Sequence, residues 1–328
     1  MIDRIILIQQ VAVLILMMIP GFLLVKFHLV GDGFGKSIAN VILYVAQPAL
    51  IIAGFVSVDF NVTVVVRMAV TFVLAILAHL IFFVISLVFY KNAPEKRRNV
   101  LTFATLFTNA GYMGIPLLEA LFEKDFPEIA IYGAMYIFAF NIFCWSIGAY
   151  LYTRDKKYIS VKKMFLNPAT LSTYIGLAIF ILSAFTPVRD AFVIPLFRNE
   201  GIVRTLMVGL KGLVAPLSMM LIGFRFASVK FKGAFKDKYL YISILVSLFL
   251  TPALVFLLVK LASLLGIYHD ALALSVLLIS AAAPAATATG MFAEKYDGDA
   301  PYASLIVSIT SVLCVISMPI VSLLSLLY

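Results

Sequence analysis

Charge is scarce in this chain of 328 residues. Asp, Glu, Lys and Arg together make up 12%, about half the share of a soluble globular domain, where roughly 25% is usual. Histidine is scarcer still, with three residues, and cysteine has two, Cys144 and Cys314, far apart inside apolar stretches. No His, Cys or acid cluster has metal-ligand spacing, and no nucleophile sits beside a base. This excludes a disulfide framework, a structural metal site and a membrane-embedded enzyme built on such a cluster. What fills the space instead is 63% hydrophobic residues, with a mean hydropathy of +1.10. That composition excludes a soluble enzyme and a disordered chain. The net charge of +9 invites a nucleic-acid reading. The charges fall in short connectors between apolar runs, however, which a bilayer explains and a phosphate backbone does not.

A membrane-crossing helix needs about 20 mostly apolar residues. Ten runs qualify: 5–25, 37–57, 62–90, 100–122, 127–153, 168–187, 203–226, 238–265, 270–293 and 302–326. They are numbered here as spans 1 to 10. The first is too long for a signal core and lacks a cleavage pattern. The runs are too long and too uniform for β-barrel strands. Lys and Arg alternate between connectors. One side holds seventeen (Lys26, Lys36, Lys91, Lys96, Arg97, Arg98, Arg154, Lys156, Lys157, Lys162, Lys163, Arg225, Lys230, Lys232, Lys236, Lys238 and Lys295). The other side holds six (Arg4, Arg67, Lys124, Arg189, Arg198 and Arg204). The rich side is expected to be cytoplasmic, with both termini outside, in the cell (plasma or inner) membrane.

Ten spans divide into two sets of five, 1–153 and 154–328, and an odd number per set turns the second upside down. Pro48 of span 2 matches Pro216 of span 7, the Glu-Lys after span 4 matches that after span 9, and Cys144 matches Cys314, at offsets of 168, 171 and 170 residues. Inverted repeats of this kind are a device of secondary transporters. Span 4 carries Asn109-Ala110-Gly111-Tyr112-Met113-Gly114-Ile115-Pro116, and span 9 carries Ala283-Pro284-Ala285-Ala286-Thr287-Ala288-Thr289-Gly290. Gly costs about 1 kcal/mol and Pro about 3 kcal/mol in a helix interior, so both spans are expected to break. Pro116 and Pro284 are expected to start the second half-helices. Their positive ends then meet in mid-membrane as an anion site, with Asn109, Thr287 and Thr289 as neutral hydrogen-bonding groups.

The Asn-x-Gly-x-x-Gly-x-Pro of span 4, the small residues of span 9 ending in Thr289-Gly290, and Ala293-Glu294-Lys295-Tyr296-Asp297-Gly298-Asp299 after them resemble the auxin efflux carrier family. Leu213 to Ser218 followed by Leu221-Ile222-Gly223-Phe224 resembles its seventh helix. The family includes plant auxin carriers and bacterial permeases for malate, malonate and related acids. The resemblance implies a bile-acid-symporter-like fold: an all-α polytopic membrane protein of ten transmembrane helices, two inverted five-helix repeats, with broken helices 4 and 9 crossing. Helices 1, 2, 6 and 7 would form a scaffold, often dimeric, and helices 3–5 and 8–10 a transport domain. Asn109 would hold the substrate carboxylate. The long cytoplasmic loop of the long plant carriers is missing; the middle connector is only 154–167.

The remaining polar residues in the spans are functional candidates. Asn141 and Gln47 are expected to line the cavity, with helix packing as the other reading of Asn141. His79 is either a proton exchanger or a packed neutral ring. Lys211 either draws an anion into the outer vestibule or snorkels. Glu119 is the acid that comes nearest to the interior, as a proton site or a wetted helix end. The expected activity is secondary transport of small organic anions by alternating access. Such a transporter needs no cofactor, and a proton is a better coupling ion than sodium, or there is none. The alternatives are a channel and a ligand-sensing receptor on a transporter fold. The expected partners are the anion, the bilayer and a second copy through the scaffold helices, with no nucleic acid.

Overall fold

The computed structural model describes residues 4–31, 33–198, 201–227, 236–266, 269–322 and 324. Lys230 and Lys232, counted above among the basic connectors, lie outside the described residues, as does most of the end of span 10. The described chain is helical throughout, and its one β contact is an isolated bridge between Thr108 and Ala285. The helices are α1 (Ile8–Lys26), α2 (Phe34–Val56), α3 (Val62–Phe89), α4 (Glu95–Leu106), α5 (Ala110–Phe122), α6 (Ile129–Thr153), α7 (Pro168–Leu182), α8 (Ile202–Ala227), α9 (Lys238–Leu264), α10 (Ala271–Ala282), α11 (Ala288–Lys295) and α12 (Ala300–Ser322). Seven helical stretches are long and apolar enough to cross a membrane: α1, α2, α3, α6, α8, α9 and the stretch Lys156–Leu182 that ends in α7. Two expected spans are each split into a pair of short helices, α4 with α5 and α10 with α11.

The helix starts are written in the sequence. Asn61 accepts the Thr63 amide at the head of α3, Asn167 the Thr170 amide ahead of Pro168, Asp237 the Tyr239 amide, and Asp270 the Leu272 amide. Each carbonyl or carboxylate oxygen satisfies a donor that the helix itself leaves open. Along α3 the large aliphatic residues Val66, Val73, Leu77, Leu80, Val84 and Leu87 point outward, while Thr71, Ala75, Ala78, His79 and Ser86 are buried. In water that pattern would be inverted; in lipid the bulky apolar side is the solvent side, and small or polar side chains mediate helix contact.

Two groups of helices emerge from the packing. In one, α1 lies against α8, and α2 against both α7 and α8. In the other, α3 packs on α4, α6, α9 and α10, while α12 packs on α4, α10 and α11. Contacts of α2 with α6 and of α8 with α12 join the groups. The α1–α8 contact is a backbone crossing. Gly21 sits on the Met220 carbonyl and Gly223 on the Met18 carbonyl, so that a Cβ at either place would overlap the facing main chain. At the α2–α7 contact Gly176 receives the Phe55 ring in the same manner.

Two ion clusters tie the helix starts of the second group. Arg67 of α3 meets Asp270 at the head of α10 at 2.6 Å and Glu128 before α6 at 3.5 Å. Arg97 of α4 meets Asp237 at the head of α9 at 2.9 Å and Asp299 before α12 at 3.4 Å, and its guanidinium lies 4.9 Å over the Tyr302 ring. The three members of one cluster stand 170, 173 and 171 residues from their counterparts in the other (67 and 237, 97 and 270, 128 and 299). In the closest pair of each the charges are exchanged: Arg67 with Asp270, Asp237 with Arg97. Arg67, read from sequence as a topology residue, is thus a structural tie as well.

The glycine crossing yields a test. Gly21→Ala and Gly223→Ala force main chains apart, and each is expected to abolish recovery of monodisperse protein from detergent. Gly209→Ala, on the same α8 but with open space around it, is expected to behave as wild type; equal behaviour of the three on size-exclusion chromatography would refute the crossing.

Candidate functional site

The two split helices meet at their breaks. After α4 ends at Leu106, Phe107 is extended (φ −117°, ψ 101°) and Asn109 leads into α5. After α10 ends at Ala282, Ala283 is extended (φ −60°, ψ 148°), the conformation that a following proline imposes. The two extended segments run antiparallel and bond to each other. Asn109 donates its amide to the Pro284 carbonyl at 2.6 Å, and Ala286 donates to the Phe107 carbonyl at 2.8 Å. Side chains close the remaining valences. The Thr108 hydroxyl donates to the Ser280 carbonyl at 2.7 Å, and the Ala285 amide donates to Thr310 Oγ1 at 3.2 Å. Backbone groups freed in a membrane interior must find partners within the protein, and here each break supplies the other's.

This geometry corrects the expected role of both prolines. Pro284 does not start α11; it lies in the extended segment, four residues ahead of Ala288. Pro116 stands in the first turn of the regular α-helix Ile115–Phe122, as expected, but the half-helix is already under way from Ala110. A widened π turn over Ala110–Gly114 precedes it, with the Asn109 carbonyl accepting both the Met113 and Gly114 amides. The widened turn displaces the carbonyls that a proline ring would strike in a regular α-helix. The breaks therefore correspond as 107 to 284 and 109 to 286, an offset of 177 residues, and Pro116 and Pro284 are not counterparts.

Around the crossing the structure gathers Asn109, Gly111, Gly114, Pro284, Thr287, Thr289 and Gln47. Asn109 is 3% exposed, and its side-chain nitrogen has no hydrogen-bond partner. The hydroxyls of Thr289 and Ser280 are fully buried and equally unpartnered. Gly114 lies against Ser280. Gln47 reaches across from α2, its amide nitrogen 2.8 Å from where a Cβ of Gly111 would be. From α8 comes a residue that sequence reasoning had taken for a topology anchor. Arg225 donates to the Thr287 carbonyl at 3.3 Å and lies 2.5 Å from the Cβ position of Gly290. One polar side chain from the α1–α2–α7–α8 group thus leans on a glycine of each second half-helix. Ser280, Thr108 and Thr310 were missed too, since buried hydroxyls carry no periodic signal. No acid stands among these groups, and no His, Cys, Asp or Glu cluster able to hold a metal occurs among the described residues.

The other candidates lie elsewhere. His79 is wholly buried on α3 behind the crossing. Its Nδ1 donates to the Ala75 carbonyl at 2.7 Å, and its ring packs among Phe107, Tyr136, Phe140 and Phe143. That is the packing reading. Asn141 is buried on α6 and forms none of the crossing's hydrogen bonds. Lys211 of α8 neither snorkels nor stands open to an anion: its ammonium lies 3.2 Å from Glu119 and 2.8 Å from Glu123, both at the far end of span 4. Glu119 is accordingly an ion-paired group and not a free carboxyl at a wetted helix end. The pair joins the two helix groups on the face opposite the end of α8 that carries Arg225.

A family model described as "Membrane transport protein" matches the chain over residues 6–161 and 152–322. No curated protein matches it.

The Lys211 pair is open to test by thermal unfolding in detergent. Lys211→Met leaves Glu119, 12% exposed, without its counter-ion, and is expected to destabilise by about 2 kcal/mol. Adding Glu119→Gln removes the stranded charge and is expected to recover most of the loss. A double variant no better than the single one would show that the ion pair contributes nothing.

Proposed function

The chain belongs to the membrane transport protein family, that of the auxin efflux carriers, and we propose that it is a secondary transporter that moves small organic anions across the membrane by alternating access. One observation carries this reading: two interrupted helices cross antiparallel at their breaks, with a buried, unpartnered Asn109 amide beside them and no acid among the polar groups. An amide nitrogen and hydroxyls without a partner are donors awaiting an acceptor, and the absence of fixed negative charge suits a carboxylate. Paired interruptions in corresponding helices are the usual place of a transporter's substrate site.

The moving parts in this reading are the two helix groups of the fold. α1, α2, α7 and α8 are the scaffold, through which two copies would associate, and the remaining helices are the transport domain. Two inverted five-helix repeats, 1–153 and 154–328, are supported by packing that recurs when each span is exchanged for its counterpart five spans on. Span 1 lies on 7 as 6 lies on 2; span 2 lies on 5 as 7 lies on 10; span 3 lies on the first half of 4 as 8 lies on that of 9. The ion clusters follow the same exchange. With the basic connectors inside the cell, both termini face outward. An anion leaving a cell that is negative inside gains about 2.3 kcal/mol per charge per 100 mV, so export needs no coupling ion, whereas uptake requires one.

The test is flux in liposomes. Purified protein would be challenged with malate, malonate, lactate and indole-3-acetate, read both as charge movement and with labelled acid, with and without sodium or pH gradients. At least one acid is expected to move with saturation and trans-stimulation; non-saturating flux would favour a channel, and silence throughout a sensor. Asn109→Ala is expected to lower flux at least tenfold at an unchanged melting temperature, because its side-chain nitrogen makes no bond that the fold would lose. Wild-type flux in that variant would remove Asn109 from the site.

A further inference from the structure

Among the described residues, Arg225 is a cation with no ion-pair partner. It sits near the end of α8, inside a helical stretch apolar enough to cross the membrane. Its hydrogen bond goes to a neutral acceptor, the Thr287 carbonyl. Among the described residues no carboxylate lies within the 4.0 Å of an ion pair. Glu294, the acid that acts on it electrostatically, is exposed further along α11. A guanidinium stays charged at any physiological pH and has five N–H donors in a planar fork. The side chain is half-buried, and holding a guanidinium partly away from water against a single carbonyl carries a cost that falls when a planar anion takes the remaining donors in pairs.

A glycine fixes where the guanidinium lies. Gly290 lets the guanidinium lie against α11; any side chain there would occupy the place of Nη1. The carbonyl that Arg225 touches belongs to the residue three places after Pro284, whose own carbonyl takes the Asn109 amide. Arg225 and Asn109 therefore flank the same crossing, one from each helix group.

We propose that Arg225 binds the carboxylate of the transported anion directly, so that the substrate is held between the cation of α8 and the Asn109 amide of the crossing. This rests on the anion-carrier reading above and adds the residue that makes the site select for charge. Lys211, towards the other end of α8, is already neutralised by Glu119 and Glu123. Because Arg225 belongs to the scaffold and Asn109 to the transport domain, their distance changes as the site is carried across. The anion then binds more tightly on the face where Arg225 reaches it. Equilibrium accumulation is unaffected; the KM values on the two faces are not.

The experiment uses the same liposomes and the same four acids. For each acid that wild type moves, Arg225→Gln is expected to raise KM at least tenfold, as loss of a charge-assisted hydrogen bond does. Arg225→Lys, which keeps a point charge, is expected to recover part of that affinity, with kcat within about threefold of wild type, a split that a packing defect alone does not produce. Gly290→Ala keeps the cation but pushes it off α11, and is expected to raise KM as well; Gly209→Ala serves as the unaltered control. An unchanged KM in Arg225→Gln overturns the proposal and leaves the anion carrier standing. Should Arg225→Gln fail to fold, an unchanged KM in Gly290→Ala does the same. If wild type moves none of the acids, the carrier reading itself fails.

Discussion

Everything at the centre of this protein depends on four backbone groups that have nowhere else to go. Breaking a helix inside a bilayer exposes amides and carbonyls to hydrocarbon, at several kcal/mol each when left unpaired. Two breaks placed opposite each other solve the problem jointly. The amides of Asn109 and Ala286 bond to the carbonyls of Pro284 and Phe107, and neither interruption is tolerable without the other. Thr108 and Thr310 complete the pairing of the main chain, and the Asn109 side-chain nitrogen and the Thr289 and Ser280 hydroxyls are left without partners.

The crossing lies within one of the two helix groups of the fold. One side is built by small residues that let helix backbones touch, Gly21 and Gly223 above all. The other is tied at its helix starts by Arg67 and Arg97, each with two carboxylates. Between them, side chains reach across, Gln47 over Gly111, Arg225 over Gly290 and Lys211 onto Glu119 and Glu123, beside the close approach of Gly54 to Ala130.

Much of the architecture was legible in the amino-acid order. Apolar runs of bilayer length placed the helices, and the glycines and proline of 109–116 with the small residues around Pro284 marked where they break. The exact point of each break was not legible, because proline has two uses. Pro284 dictates an extended residue before it, whereas Pro116 is absorbed by a widened turn six residues beyond the start of α5. Asn109, Gln47 and Thr289 could be read as candidates because a polar group in an apolar run is conspicuous, and the structure gathers them at the crossing. Arg225 could not. Lying at the end of an apolar run, before further basic residues, it looked like one more topology anchor; only the three-dimensional approach of α8 to Gly290 distinguishes it. The pairing of Lys211 with Glu119, 92 residues apart, was hidden for the same reason.

The charge exchange between the two ion clusters has a consequence for how the halves recognise each other. In the first half the residues at the first two cluster positions, 67 and 97, are both arginine; in the second half their counterparts, 237 and 270, are both aspartate. Each cluster joins the first position of one half to the second position of the other. Two copies of the first half docked in the same way would set arginine against arginine, and two copies of the second would set aspartate against aspartate. Like charges at that range repel by several kcal/mol. At these positions residues 1–153 carry the charges that 154–328 complement.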